Sequence, residues 1–291
     1  MPTEDAKHFF GGIKALSPKD IPFLKVLTTN PLLKENETEE QFWKKHCNLP
    51  LSSILYEHLP LRPSFFQYIN NPGFTNLVLD LAISSPEDLH LTHKTLSYGT
   101  AETKRSKNNL SITVNLEDKV ALMMLGANPN PAAILSYAKQ FIHILQERNY
   151  PLRKDLFFIF CSSQVKIKPG LRDQILDLVQ KTKNYPQNLT IIPISHQNDH
   201  IVAPLLHRSN LTITRSGGLT SMELLSVSQG QILIHQEPTF ITIPKFIPHS
   251  HTFLEGMPPW ESGNADFLRI KKGARLITPK TFSELSQDYF S

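Results

Sequence analysis

From Lys119 onward, continuous apolar runs alternate with amphipathic segments of helical length, and this alternation restricts the fold more than any other feature. KVALMMLG (119–126) and DLFFIFCSS (155–163) are continuous apolar runs, which are typical of strands covered on both faces. Between them, residues 131–149 place apolar side chains at helical spacing, and Pro131 suits a first helical turn. The pattern predicts a strand–helix–strand unit.

The same alternation continues through the rest of the chain. Further strands are predicted at 188–195, 210–214, 231–235 and 274–278, and further helices at 169–184, at 199–209, from about Leu219, and near 264–272. Right-handed crossovers between such strands produce a parallel sheet with helices on both faces. We therefore predict an α/β domain over residues 119–291, with a doubly wound, Rossmann-like parallel sheet whose ligands bind beyond the carboxyl ends of the strands.

Residues 1–118 are irregular and rich in proline, and we expect a reduced N-terminal region there. Buried strands are predicted at 23–29 and 76–84, and helical segments at 38–46, 51–59 and 63–69. The polar segment AETKRSKNNLS (101–111) has no apolar periodicity, which predicts a surface loop or linker.

Composition excludes several classes of protein. The net charge is +4, and no dense Lys/Arg stripe with interleaved aromatic residues occurs, so we expect no nucleic-acid partner. The two cysteines form no C-x-x-C motif, which argues against a zinc site or a disulfide framework. The first residues do not resemble a signal peptide, and no apolar run is long enough to span a bilayer. We expect a cytoplasmic protein whose contact with the inner face of a membrane would be peripheral.

The segment TRSGGLTSMELLSV (214–227) is the strongest candidate for a binding site. A predicted strand runs into Arg215, Ser216, Gly217 and Gly218, and a predicted helix begins almost at once. Paired glycines let a ligand approach the backbone, and the N–H groups and dipole of a helix N-terminus favour a phosphate. Arg215 would add a positive charge.

Three side chains of the predicted helix extend this candidate site. Thr220 or Ser221 could supply a hydroxyl, and Glu223 lies about one turn into the helix. A carboxylate suits paired ribose hydroxyls better than it suits a phosphate. The other interpretation is an ordinary strand-to-helix turn in which Glu223 favours the helix N-terminus, and the spacing alone does not decide between them.

Two segments resemble the donor-site motifs of the family 28 GT-B glycosyltransferases. This group includes the peptidoglycan N-acetylglucosaminyltransferases, the monogalactosyldiacylglycerol synthases and the diacylglycerol glucosyltransferases. RSGGLTSMELL (215–225) resembles the first motif, and PPWESGNADFLRIKKGARLI (258–277) resembles the segment that closes over the donor sugar and diphosphate. The residues that match in the second segment are Glu261, Gly263, Asn264, Ala265, Leu268, Gly273 and Ala274.

The resemblance implies a role for each donor-site residue. The Ser216–Gly218 turn would hold the diphosphate, Glu223 would bind the ribose, and Ile194–His196 would lie against the uracil. Glu261 would bind the sugar, and Asn264 would shape the phosphate loop. Further contacts would come from Arg215 in the turn, from Thr220 in the helix, and from Gly126 and Asn128 in the loop at 126–132.

This chain departs from the family pattern at several positions. The loop GANPNPA (126–132) has one glycine where the family has several, and Pro259-Trp260 stands where the family has Gly-Gln. Only residues 1–22 precede the strand at 23–29, so we identify neither an acceptor loop nor a general base, and the catalytic residues stay unassigned.

The resemblance implies a glycosyltransferase that inverts the anomeric centre without a metal or cofactor. It would transfer a hexose or N-acetylhexosamine from a UDP-sugar to a lipid or lipid-linked acceptor. A second interpretation is a protein that binds the donor without turnover, or that needs a separate acceptor-half protein as partner, so that the isolated chain turns over slowly or not at all. A GT-B-fold isomerase acting on a UDP-sugar is the third.

Overall fold

The computed structural model describes residues 26–28, 33, 36–56, 61–69, 71, 73–106, 109–126, 130–148, 153–161, 169–237, 257 and 259–291. The chain divides into two compact units. The sheet unit consists of Arg62–Arg215, Ser226–His235 and Ala274–Ser291. The second unit consists of the described parts of Met1–Leu61 with Ser216–Leu225 and Gln236–Gly273. The functional division at 118/119 that the sequence predicts stays a prediction.

Short elements make up the N-terminal part of the described chain. They are β1 (Val26–Thr28), α1 (Glu39–Cys47), β2 (Ile54–Tyr56), β3 (Leu77–Ala82), α2 (Pro86–Leu96), β4 (Glu102–Arg105) and β5 (Asn109–Val114), with 3-10 helices at Leu51–Ser53 and Pro63–Tyr68. Helix α1 begins with a capping box in which the side chains of Thr38 and Gln41 each accept a hydrogen bond from the other residue's backbone N–H group. The helix predicted at 38–46 is therefore present.

The predicted helix at 51–59 is wrong over residues 51–56, the part of it that the structure describes. Within that part only Leu51–Ser53 are helical, and β2 follows and pairs in parallel with β1, with Val26 opposite Ile54. Ile54 is β-branched and Tyr56 is aromatic, and such residues favour strands over helices when a partner strand is present.

The predicted loop at 101–111 is also wrong, because β4 and β5 form a hairpin there. Strands β3, β5 and β4 build a small antiparallel sheet in that order. Every residue of β4 is exposed, so this edge strand carries charged side chains and shows no apolar alternation. The predicted strand at 76–84 is present as β3, but only one of its faces is buried.

The regular part of the chain follows the predicted order of strands and helices. Its strands are β6 (Lys119–Met124), β7 (Asp155–Phe160), β8 (Leu189–Ile194), β9 (Leu211–Thr214), β10 (Gln231–His235) and β11 (Arg275–Ile277). Its helices are α3 (Pro131–Arg148), α4 (Leu171–Lys181), α5 (Asp199–Arg208), α6 (Gly218–Val227), α7 (Pro259–Lys272), α8 (Phe282–Leu285) and α9 (Gln287–Phe290). Pro131 is the first residue of α3, as predicted.

These six strands form one parallel sheet in the order β11-β10-β9-β6-β7-β8. The α/β fold class with a parallel sheet is therefore confirmed. The order places β6 beside β9, with Met124 opposite Thr214, so the loops that follow these two strands leave the same edge of the sheet.

Both faces of the sheet are buried within the sheet unit. On one face, alternate strand residues such as Met123 and Phe157 join a core with α3, α4, α8 and α9. On the other face, Leu122 and Phe158 are also fully buried, and α5 packs against β6. Helices on both faces explain why β6 and β7 are apolar at nearly every position. None of the helices within the described ranges combines the length and apolar character needed to cross a bilayer.

Candidate functional site

Gly126 and Arg215 are neighbours at the carboxyl edge of the sheet. Gly126 follows β6 with a φ of +85°, in the left-handed region that favours glycine. A Cβ atom at Gly126 would lie 4.0 Å from Cδ of Arg215, whose side chain is half-buried. Asn128, the other residue predicted for this loop, lies outside the described residues.

The segment Arg215–Gly217 joins β9 to α6, so the turn follows a strand's carboxyl end as the sequence predicts. The N–H group of Ser221 donates to the Gly217 carbonyl at 2.9 Å, which makes Gly217 the residue that caps α6. The first N–H groups of a helix lack partners inside the helix and attract anions. This helix N-terminus therefore has the chemistry that a phosphate-binding turn needs.

Ser216 connects the two segments that resemble donor-site motifs. Its side chain is fully buried, and its hydroxyl donates to the Glu261 carbonyl at 2.9 Å. The Nδ2 group of Asn264, itself 1% exposed, donates to the Ser216 carbonyl at 3.1 Å. The Ser216 hydroxyl also lies 3.5 Å from the sulfur of Met257. Within the second unit, the turn and the first residues of α7 are therefore held together through one residue.

Gly217 has a structural setting unlike that of a packing glycine. Its φ lies outside the left-handed region, so its backbone conformation does not require glycine. A Cβ atom there would have no atom of the described residues within 4 Å. Neither backbone strain nor packing explains the missing side chain. What the glycine does provide is a bare backbone at the start of α6.

The polar side chains of α6 differ in their burial. Thr220 is half-buried, whereas Glu223 is 2% exposed and Ser221 is fully buried. The Ser221 hydroxyl has no hydrogen-bond partner within the described part of the chain. A buried carboxyl group depends on the polar groups around it, so Glu223 also has a structural role. Its predicted contact with a ribose stays a prediction, as do those of Thr220 and Glu261.

Ile194 ends β8 and is fully buried, and its carbonyl accepts a 2.7 Å hydrogen bond from the Cys161 N–H group. Its side chain belongs to the core, so any contact with a base would have to come from the backbone of this loop. The next residues are tied to the end of β3, where Ser195 and Gln197 donate to the Ala82 carbonyl at 3.1 and 2.8 Å. The uracil contact predicted for Ile194 stays a prediction.

The structure thus forms two groups of predicted site residues, one in each unit: Gly126 with Arg215, and Ser216 with Glu261 and Asn264. Sequence reasoning missed Met257, whose contact with Ser216 depends on tertiary packing and has no signature of its own. The charged pair formed by Asp88 and Arg172, described below, was missed for the same reason.

No protein-family model matches the sequence, and no curated protein matches it. Among solved structures, MurG from Acinetobacter baumannii is 16% identical with a TM-score of 0.39, covering 60% of this chain and 42% of that one. The UDP-forming α,α-trehalose-phosphate synthase from Burkholderia xenovorans is 10% identical with a TM-score of 0.39, covering 81% and 43%. UDP-GlcNAc 2-epimerase from Neisseria meningitidis, bound to UDP-GlcNAc, is 15% identical with a TM-score of 0.31, covering 61% and 45%. This chain spans less than half the length of each of these proteins.

Proposed function

We propose that this chain binds a UDP-sugar at the Ser216–Gly218 turn and transfers the sugar to a lipid or lipid-linked acceptor. The observation that carries the proposal is the pair of hydrogen bonds between Ser216 and the start of α7. Glu261 lies 45 residues beyond Ser216, yet both segments that resemble donor-site motifs meet at this one residue. A donor site assembled from those motifs requires such a contact.

The diphosphate would lie at the start of α6. The free N–H groups and the dipole of the helix favour its negative charge. The bare backbone of Gly217 leaves room for phosphate oxygens to approach. Arg215 directly precedes the turn and would add a charge-assisted hydrogen bond, which is stronger than a neutral one.

The chemistry of transfer follows from these groups. Sugar transfer passes through an oxocarbenium-like centre while the nucleoside diphosphate departs. The helix N-terminus and Arg215 would stabilise the charge that develops on the diphosphate, so the step would not need a metal ion. Inversion would follow from a single displacement, in which the acceptor oxygen bonds C1 on the face opposite the departing UDP and the hydroxyl proton passes to a general base that is not assigned.

Side chains beyond the turn would orient the rest of the donor. Glu223 would accept hydrogen bonds from the ribose hydroxyls, and Glu261 would accept them from the sugar. Asn264 already holds the Ser216 carbonyl, so its amide would fix the shape of the turn. Each of these roles rests on the resemblance together with the position of the residue.

Two measurements on the purified chain test the proposal. Isothermal titration with UDP, UDP-glucose, UDP-galactose and UDP-N-acetylglucosamine should give saturable one-site binding. Arg215→Gln should weaken that binding by about tenfold, because it removes a charge-assisted hydrogen bond. Arg275→Gln is the matched control, since it removes the same charge from an exposed ion pair with Asp288.

The second measurement is UDP release in the presence of diacylglycerol or polyprenyl phosphate. Acceptor-dependent release supports a transferase. Binding without release supports a protein that holds the donor but needs a partner or does not turn over. Absence of binding to all four nucleotides would overturn the proposal.

A further inference from the structure

Two helices of the sheet unit begin side by side near the carboxyl ends of β7 and β8. Helix α2 packs against both α4 and β8. Its N-terminus is capped by the Ser85 hydroxyl, which accepts from the Asp88 N–H group at 3.1 Å. Arg172, the second residue of α4, places Nη1 3.2 Å from Oδ1 of Asp88. The guanidinium group of Arg172 therefore lies between the first turns of two helices.

One edge of this guanidinium group is buried without a partner. The Arg172 side chain is only 9% exposed. Its Nε and Nη2 atoms have no hydrogen-bond partner within the described ranges. These two N–H groups point in the same direction and match the two oxygens of a carboxylate or phosphate group. Buried donors are nearly always satisfied in native proteins, so this edge calls for a ligand, an ion or ordered water.

None of the polar groups described around Arg172 bonds its Nε–Nη2 edge. Asp88 occupies Nη1, and the Asp173 carboxylate accepts from the Gly170 N–H group at 3.0 Å. Cys161 directly follows β7, and burial raises the pKa of its thiol to about 12, while the Arg172 charge lowers that pKa and the Asp88 charge raises it. The thiol is therefore neutral at physiological pH and does not compete for the guanidinium charge.

The charge balance favours an anion of low charge. Asp88 offsets much of the Arg172 charge, and the N-termini of α2 and α4, whose first turns carry these two residues, add partial positive charge. A monoanionic oxygen pair would gain two charge-assisted hydrogen bonds, with repulsion from Asp88 as the opposing effect.

We propose that the Nε–Nη2 edge of Arg172 binds the carboxylate or phosphate group of a small ligand, in a subsite between the first turns of α2 and α4. The subsite shares no residue with the proposed UDP-sugar site. Its test therefore needs no nucleotide, and either proposal can fail alone.

The experiment measures binding of inorganic phosphate and of acetate to the full chain by isothermal titration and by the shift of the melting temperature. The wild-type protein should show saturable binding of at least one probe, and the preferred probe separates a phosphate site from a carboxylate site. Arg172→Gln should weaken binding by at least about tenfold. Arg275→Gln, which removes the same charge from an exposed ion pair, should bind as the wild type does.

Asp88→Asn provides a second readout that a purely structural Arg172 would not move. Removing the carboxylate removes repulsion of the bound anion, so affinity should rise about fivefold. If Arg172→Gln does not fold, the comparison of Asp88→Asn with the wild type decides the question. Absence of saturable binding to the wild type, equal binding by Arg172→Gln, or unchanged or weaker binding by Asp88→Asn would each overturn the proposal.

Discussion

Replacing Gly217 with alanine should separate the stability of the protein from its ability to bind a nucleotide. Alanine reduces the conformational freedom of the unfolded chain, which stabilises the fold by about 0.4–1 kcal/mol where the backbone conformation is compatible. Gly217 also caps α6, and alanine is the poorer capping residue by several tenths of a kcal/mol. Because a Cβ atom there meets no atom of the described residues, no packing cost is added. The two effects nearly cancel, and the free energy of unfolding should change by less than about 0.5 kcal/mol.

Binding should respond differently to the same substitution. In the proposed site the new methyl group would stand where a phosphate oxygen would approach the turn, so the affinity for UDP should fall at least about tenfold, or about 1.4 kcal/mol. Urea unfolding measures the first quantity, and isothermal titration measures the second. Equal affinity in both proteins would refute the argument, because no ligand would then approach this backbone.

Gly230 supplies the matched control for this prediction. A Cβ atom at Gly230 would lie 2.3 Å from the Ser209 carbonyl oxygen and 2.4 Å from that of Asn210, and backbone atoms cannot move aside cheaply. Gly230→Ala should therefore lose about 1–3 kcal/mol of stability or more. At a temperature where the variant is folded, its affinity for UDP should equal that of the wild type.

Three further predictions concern single side chains. Glu223→Gln keeps the shape of a buried side chain and should weaken UDP-sugar binding by about 1.5–3 kcal/mol in calorimetry. Equal affinity of the variant and the wild type would mean that Glu223 has a purely structural role. Arg208 is 1% exposed and donates to three backbone carbonyls, those of Asn115, Leu116 and Asp118. Arg208→Met should therefore lower the free energy of urea unfolding by about 3 kcal/mol or more, and a loss below about 1 kcal/mol would contradict this prediction. Burial raises the pKa of Asp155 from its ordinary value of 3.8, against the opposing effect of Arg153. The contribution of Asp155 to stability is therefore largest below about pH 3.8 and is lost as the pH rises through the pKa of the folded state. The unfolding free energy of the wild type should therefore fall relative to that of Asp155→Asn as the pH rises above about 4, and a constant difference between the two proteins would show that this pKa is not raised.

The sequence predicted the parts of the fold in which local pattern and tertiary environment agree. Strands β6 and β7 are buried on both faces, so their apolar runs identify them directly. Helix α3 buries apolar residues at helical spacing, among them Ile134, Phe141 and Leu145, as the pattern of residues 131–149 predicts. In each case the residues that form the element are also the ones that the core requires.

The failures lie where an element depends on its partner. Strand β4 has no apolar pattern because all of its residues face solvent, and only its pairing with β5 makes it a strand. Strand β2 depends on β1 in the same way.

The candidate site shows the same limit. The sequence indicated Ser216 and Asn264 as parts of two separate motifs, but their hydrogen bond is a tertiary contact. The ion pair of Asp88 with Arg172 joins two helices that are distant in the sequence, and neither residue lies in a motif. No local pattern could have predicted either pair.

The most direct test of the central claim is to observe the backbone N–H groups at the start of α6 while UDP is added. In ¹H–¹⁵N NMR spectra of the full chain, the amide signals of Gly217 and Gly218 should shift in a saturable manner with UDP and much less with uridine. The amide signals of Gly99 and Gly230 should stay in place, since these glycines pack closely against residues at the amino ends of β8 and β9. Saturable binding of UDP without any change at Gly217 and Gly218 would contradict the claim that this turn holds the diphosphate.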